Sequence, residues 1–379
     1  MEIRADQETL LKAISAVLGV VDKRGTMPIL SNVLIKTNGN GLEIGATDLE
    51  ISYKGYCSAQ IIEAGAVTVP AHQLSSLVKE LPAGDLELKD TKKHTLKIKR
   101  GESRYQLSGI NPDQFPPLPE RPEGGYVEME SRVLKEMIRK VIFSSTGDDL
   151  QYHLTGVFCE GVEEEGRPYL RMVTTDGHRL TFIQRENPFV GLLFGLDKGI
   201  LIPRKAAGEI IRFLGEEEKV SLNLHEKMLT VLAGDKLLSI RLLEAKFPEY
   251  RRIIPEALLS QFTFNREELF STVKRLSLIT SERFKGVIFK LSGEAAEVSH
   301  QSPDVGDGQE ILEHFTVGKN DLEKPLPLEM GFNARYFLEP LLMMEGDQVV
   351  LEINDPERPA KLSSPADPHY FSIVMPMSM

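Results

Sequence analysis

The chain has 379 residues, 41% of them hydrophobic, which suffices for two or three domains that each bury a core. Its 45 basic and 56 acidic side chains leave a net charge of −11, which argues at first sight against nucleic acid; the distribution of charge matters more than the sum. Cys57 and Cys159 form neither a metal-ligand pair nor a disulfide framework, and the polar, acidic N-terminus is unlike a signal peptide. No stretch approaches the ~20 apolar residues of a membrane span, Phe189–Leu196 being only a short run. A reduced, cytoplasmic chain with no membrane partner is the expectation.

Along the chain, a helical pattern covers Asp6–Val20, and strand-like segments follow at Asn32–Ile35 and Gly41–Ile44. The β-branched run Val67–Pro70 leads into a second helical pattern, His72–Leu81, and Thr95–Lys99 alternates like a strand. The proline-rich stretch Phe115–Pro122 closes this segment as a stiff linker, because proline fixes φ. The same order then returns. A helix over Ser131–Phe143 precedes Gly156–Phe158; Ile200–Pro203 leads into a helix over Pro203–Leu214; Lys219–Leu224 alternates, and Phe247–Pro255 is the second linker. It returns once more with helix Arg266–Leu278, Gly286–Phe289, helix Asn333–Met344 and strand Gln348–Ile353. Pro70, Pro203 and Asn333 stand 133 and 130 residues apart, and Val33, Val157 and Val287 stand 124 and 130 apart.

Three features in one order at one spacing mean internal triplication, and so long a period means three similar domains rather than a solenoid. Their expected extents are 1–125, 126–255 and 256–379. Two helices and several strands per repeat, mostly joined by short turns, read as α+β with antiparallel sheets. Two local signals sharpen the helix starts. Asn265 with Glu268 three residues on has capping-box spacing, and Pro203 suits a first helical turn.

The six helical patterns carry a net charge of +5, so the remainder carries −16. In Ser131–Phe143, Arg132, Lys135 and Arg139 fall on one face, within about 60° of one another, while Val133, Leu134, Met137, Ile138 and Val141 take the other. Basic residues are ordinary on a solvated helix, but basic helices within an acidic chain favour a polyanion held against the helices.

Catalytic signatures are absent. There is no phosphate-binding Gly-x-x-x-x-Gly-Lys-Ser/Thr loop, no His-Glu-x-x-His, no cysteine pair at metal spacing and no Gly-x-Ser-x-Gly elbow. The one cluster that resembles a site is Thr174-Thr-Asp-Gly-His-Arg-Leu180. Asp176 and His178 there offer a hydrolytic acid–base pair or metal ligands; the plainer reading is an Asp-Gly turn at a strand end, with polar side chains bonded to backbone. A binding scaffold with no nucleic-acid role is the third alternative.

Several motifs together carry a resemblance: Met27-Pro-Ile-Leu-Ser-Asn-Val-Leu-Ile35, Ala46-Thr-Asp-Leu-Glu-Ile51, Thr174–Leu180, Phe247-Pro-Glu-Tyr-Arg-Arg252, Phe284-Lys-Gly-Val287 and Val374-Met-Pro-Met377. In order and over nearly the whole chain, they resemble the bacterial DNA polymerase III β subunits, the sliding clamps. The resemblance implies a processivity factor with no catalytic residues, cofactor or metal of its own. Two chains would join head to tail in a ring of six similar domains, with twelve helices around duplex DNA and a continuous sheet outside.

The resemblance also implies a partner-peptide cleft at Leu154, Thr175, Gly177, His178, Arg179, Leu180, Pro248, Arg252, Ile253, Pro359, Val374, Met375, Pro376 and Met377. Its partners are the replicative polymerase α subunit, the clamp loader and other proteins bearing a clamp motif. Such an apolar, methionine-containing pocket adapts to different motifs. DNA contact is implied at Arg24, Arg204 and Lys205, beside the helical Arg132, Lys135 and Arg139; the loop where relatives place a DNA-touching Gln reads Gly147-Asp-Asp-Leu-Gln151. The dimer seam is implied at Tyr105 and Leu107 on one side and Leu278 and Ile279 on the other. The chain ends Ser378-Met379 where some relatives have Arg-Leu.

Overall fold

The computed structural model describes residues 1–22, 25–39, 41–91, 93–187, 196–255, 259–280, 285–302, 305–320 and 326–377. Arg24, most of the apolar run Phe189–Leu196, Phe284 and the terminal Ser378-Met379 lie outside the described residues. The first repeat contains β1 (Glu2–Asp6), α1 (Gln7–Ser15), β2 (Asn32–Asn38), β3 (Gly41–Thr47), β4 (Ile51–Ser58) and β5 (Gln60–Glu63). It continues with β6 (Ala66–Pro70), α2 (Ala71–Glu80), β7 (Asp85–Asp90), β8 (Thr95–Arg100) and β9 (Ser103–Ser108). The second contains β10 (Tyr126–Glu130), α3 (Ser131–Val141), β11 (Gly156–Glu164), β12 (Arg167–Thr175) and β13 (Arg179–Glu186). After these come β14 (Ile200–Pro203), α4 (Arg204–Phe213), β15 (Lys219–His225), β16 (Met228–Ala233) and β17 (Lys236–Arg241). The third contains β18 (Ser260–Asn265), α5 (Arg266–Ser277), β19 (Gly286–Leu291), β20 (Ala296–Ser302), β21 (Gly306–Leu312) and β22 (Phe315–Asn320). It ends with β23 (Leu328–Asn333), α6 (Ala334–Met343), β24 (Gln348–Ile353), β25 (Ala360–Ser364) and β26 (Asp367–Val374).

These strands form four sheets, ordered β5-β1-β7-β8-β9, β10-β15-β16-β17-β4-β3-β2-β6, β14-β11-β12-β13-β26-β25-β24-β18-β22 and β21-β20-β19-β23. The two longer sheets cross from one repeat to the next. In one, β17 pairs with β4, Leu238 opposite Tyr53 and Ile240 opposite Ile51; in the other, β13 pairs with β26, Leu180 opposite Ile373. The contacts accordingly group the chain into two compact units that cut through the second repeat, one built on the first two sheets and one on the last two.

Alternation places the cores. Val33, Ile35, Leu42 and Ile44 are buried in the first unit, where Phe213 packs edge-on against Tyr53 with ring centroids 5.8 Å apart. In the second unit Phe289, Phe332 and Phe337 form one aromatic core and Phe182 stacks on Phe371 at 4.6 Å. Helix α3 buries Leu134, Met137, Ile138 and Val141, the face that its periodicity marks.

Three local expectations need correction. Asn265 does cap α5, accepting the Glu268 amide at 2.9 Å, but Glu268 does not return the bond. Its carboxylate instead accepts the amides of Glu313 at 2.6 Å and His314 at 3.1 Å, because the Asn265 amide is already donated to the His314 carbonyl. Pro203 is the last residue of β14 rather than a helical residue; α4 starts at Arg204, as α2 starts just after Pro70. The two proline-rich stretches are not plain linkers. Phe115 is buried against Ile29 and Leu30, and Phe247 and Tyr250 sink into the cluster of Leu180, Phe182 and Ile373, so each is pinned by aromatic side chains.

Lys140, on α3, is buried and bonds Glu136 at 2.9 Å, Glu345 at 2.7 Å and Asp367 at 2.8 Å, while Arg185 bonds the same Glu136 and Asp367. Burial pushes the Asp367 and Glu136 carboxyls up, but bonds from Lys140 and Arg185 outweigh it and hold both below their ordinary values of 3.8 and 4.5. Depressed carboxyls stabilise the fold fully above those ordinary values, and that contribution is lost as pH falls below them. Lys140→Ala leaves buried Asp367 with Arg185 as its one remaining cation among the described residues and is expected to cost about 1–3 kcal/mol. Urea unfolding at neutral pH checks this; the same titrations in acid should show the difference between variant and parent shrinking.

Candidate partner-peptide cleft and nucleic-acid interface

The segment Thr174–Leu180 is a turn between β12 and β13. Thr175 Oγ1 donates to the Arg179 carbonyl at 2.6 Å, and Asp176 Oδ1 accepts the amides of His178 and Arg179, both at 3.1 Å. Gly177 takes φ +87°, which glycine adopts freely. The first repeat builds the same turn between β3 and β4. Thr47 Oγ1 donates to Ile51, Asp48 Oδ1 accepts the amides of Glu50 and Ile51, and Leu49 takes φ +77°. A device present in two repeats is architecture. Asp176 is further engaged by Arg179 Nε at 3.0 Å, and the His178 side chain points into solvent, so the two do not make an acid–base pair.

Beside this turn lies a cleft of about 720 Å³. Of the residues expected there, Leu154, Thr175, Gly177, Arg179, Leu180, Pro248, Arg252, Ile253, Pro359 and Met375 line it. His178, Val374, Pro376 and Met377 do not. Val374 is buried opposite Arg179 on the far side of the strand, and Met377 donates its amide to Gly331 at 2.8 Å. Sequence reasoning missed Arg251, Ile254, Pro255, Asn354, Arg358 and Ile373. A period-2 reading of the last strand finds Ile373, since it and Met375 share the face that Val374 cannot. Ile253 and Met375, more than a third exposed, offer apolar surface at the mouth.

The floor is rigid. Phe247 stacks on Phe158 at 4.8 Å, and Tyr250 begins the short turn that carries Arg252 and Ile253 to the rim. The Tyr250 hydroxyl donates to buried Glu160 and accepts from buried Arg171 at 3.1 Å. Arg171 also bonds Gln184 Oε1 at 2.7 Å and lies 4.9 Å over the Phe182 ring. Burial, then the bond to Glu160, push the Tyr250 phenol up to about 12, so it stays protonated and keeps donating.

The basic residues are dispersed. Arg132 and Arg139 are exposed on α3, Arg132 pairing with Glu130 while Arg139 has no partner among the described residues; Lys135 caps the Gly215 carbonyl. At the start of α4, exposed Lys205 pairs with Asp48, and half-buried Arg204 donates to the Ser145 carbonyl at 2.7 Å. Gln151 stands in the short 3-10 segment Asp149–Leu154, where Asp148 accepts the amide of Leu150. On the expected seam, Tyr105 is 41% and Leu278 76% exposed, with Leu107 and Ile279 half-buried. Among the described residues the three carboxylates Glu136, Glu345 and Asp367 converge, but Lys140 fills the place a metal would take.

Three α+β repeats that share antiparallel sheets, with a cleft beside the Thr174–Leu180 turn, are the architecture of a clamp. Family models of the DNA polymerase III beta subunit match in succession: its N-terminal domain over residues 1–119, its central domain over 128–249 and its C-terminal domain over 251–378. The chain belongs to this family, the sliding clamps of DNA polymerase III. The beta sliding clamp of Pseudomonas putida is 30% identical over 382 residues, covering 100% of both chains. Among solved structures, the sliding clamp from Bartonella birtlesii bound to griselimycin matches at 30% identity with a TM-score of 0.91. The DNA polymerase sliding clamp from Caulobacter crescentus matches at 28% and 0.90, each over 100% of both chains.

Tyr250→Phe removes the hydroxyl between Glu160 and Arg171 and leaves buried polar atoms short of a partner. A loss of about 1–3 kcal/mol in chemical denaturation is expected. A variant as stable as the parent would show the bridge to be dispensable.

Proposed function

We propose that two copies of the chain join head to tail into a closed ring around duplex DNA, and that the cleft binds short linear motifs of replication proteins. One observation supports the ring above the others. Strands β2–β4, β11–β13 and β19–β21 occupy equivalent places in the three repeats, as do β7–β9, β15–β17 and β24–β26. Within the chain β4 pairs with β17 and β13 with β26. By the same rule β21 should pair with β9, yet each ends its sheet without a neighbour among the described residues. A second copy supplies each edge with the strand it lacks. Such a contact is heterologous, and two of them close the assembly. Tyr105 and Leu107 lie on β9, and Leu278 and Ile279 follow α5 in the repeat that carries β21. The three domains of this reading keep boundaries near 125 and 255.

Duplex DNA is held in the bore by Arg24, Arg132, Lys135, Arg139, Arg204 and Lys205, through phosphates and without base reading, so that the ring slides. The cleft takes motifs of the polymerase α subunit, the clamp loader and other clamp-binding proteins in the cytoplasm; the loader supplies the ATP chemistry for which this chain has no phosphate loop. Hydrolysis by Asp176 and His178 is disfavoured because backbone amides and Arg179 already occupy Asp176.

Leu278→Ala with Ile279→Ala should shift sedimentation toward monomer and abolish retention on closed-circular DNA. Parent protein should be retained on the circle and released when it is cut; retention that survives linearisation would refute encirclement. For the cleft, Leu180→Ala with Met375→Ala removes apolar contacts for a peptide anchor worth about 1.5–3 kcal/mol, a weakening of roughly ten- to a hundredfold in calorimetric titration. Undiminished peptide binding would place the partner site elsewhere.

A further inference from the structure

A second recess in the same unit, of about 640 Å³, differs from the cleft in its chemistry. Arg204 at the start of α4, Lys285 just before β19, and Arg335 in the first turn of α6 line it, together with the loop Ser145–Gly147. Arg179 lines both the recess and the cleft, and Asp176 lines the recess alone.

Counting charges separates structural cations from available ones. Arg179 is spent on Asp176, Glu339 and the Phe143 carbonyl, and among the described residues Arg335 engages its Nε alone, on Glu339 at 2.9 Å. These two cations and two carboxylates cancel. Arg204 and Lys285 pair with no carboxylate among the described residues, which leaves a surplus of two cations among the described residues of the recess. The donors left over are the Nη1 and Nη2 groups of Arg335, the Nε and Nη2 of Arg204 and the Lys285 ammonium. The hydroxyls of Ser145, Ser277 and Thr280 donate to backbone carbonyls and add acceptors only. Two guanidinium forks and an ammonium converging on one polar recess match the tetrahedral oxygens of a phosphate, which arginine binds through paired donors.

We infer that this recess seats backbone phosphodiester of nucleic acid through Arg204, Lys285 and Arg335. The inference rests on the reading of the chain as a DNA-encircling ring, and adds Lys285 and Arg335, neither of which the resemblance marks as a DNA contact, to its contacts.

The test uses the full chain, Lys285→Gln alone, and Lys285→Gln with Arg335→Gln; Arg335→Lys keeps the charge and serves as the rescue. Lys285 is exposed, with no partner among the described residues, so its replacement leaves folding intact, as thermal melting checks. With inorganic phosphate as probe, the parent should broaden the 31P line and the double variant should not; equal broadening overturns the site. With a labelled duplex, the slope of log affinity against log salt should fall by about 1–2 in the double variant, at about 0.9 per phosphate contact, and recover in part with Arg335→Lys. Lost phosphate binding with an unchanged duplex slope means a free-anion site and overturns the phosphodiester assignment. A parent that binds no duplex at all refutes the ring reading itself, which is a different result from a parent that binds and a variant that binds equally well.

Discussion

A strand at the edge of a sheet leaves a row of amides and carbonyls that water or another strand must satisfy, and the arrangement of this chain follows from where those edges go. Each repeat makes one sheet that ends in the third strand after its first helix and another that ends in its last strand. In the middle of the chain these edges meet: β17 runs along β4, and β26 along β13. The compact units therefore fail to coincide with the repeats, and a core that began in one repeat is completed by the next. The cleft is a by-product of one such junction, because Leu180 and Ile373 are cross-strand partners on the two sides of it.

Charge does at these places what apolar packing does elsewhere. Lys140 ties α3 to Glu345 and Asp367, and Arg171 ties β12 to Gln184 and to the turn that carries the cleft rim. Buried ion pairs contribute little net stability against an apolar alternative, because desolvation offsets attraction. Their directional bonds are useful here in another way: they leave one acceptable arrangement where several strands and a helix meet, and a shifted register strands a charge.

Much of this was legible in the sequence. Periodicity located the six α-helices of the described residues, overrunning the end of α1 by five residues, and the triplicate order of strand, proline or asparagine, and helix marked the repeats. The Thr-Asp turn was readable as a turn because its residue types have local partners. What stayed hidden depends on distant strands. Nothing local in Arg179–Glu186 says that it will pair with Asp367–Val374, and the phase of the last strand, which turns Ile373 to the cleft side and Val374 to the other, both of them buried, is fixed only by that pairing. Arg251, Asn354 and Arg358 reach the cleft from turns whose course is set by tertiary packing. Phe247–Pro255 read as a linker from its prolines, while the burial of Phe247 and Tyr250 depends on aromatic neighbours far away in sequence. The pairing of Lys205 with Asp48 likewise joins residues 157 apart.

The crossing sheets bear on how such a chain arises. A single repeat cut free would carry an open edge of each kind, and the two kinds are complementary, so its stable form would be an assembly of copies rather than a monomer. Fusing copies end to end then adds no new interface; it converts a contact between molecules into one within a chain, at a far higher effective concentration. The segments that join the repeats, pinned by Phe115 and by Phe247 with Tyr250, mark where separate polypeptides would have met. On this account the duplication preserved a geometry that already existed, and each repeat was then free to diverge wherever its edges were not involved.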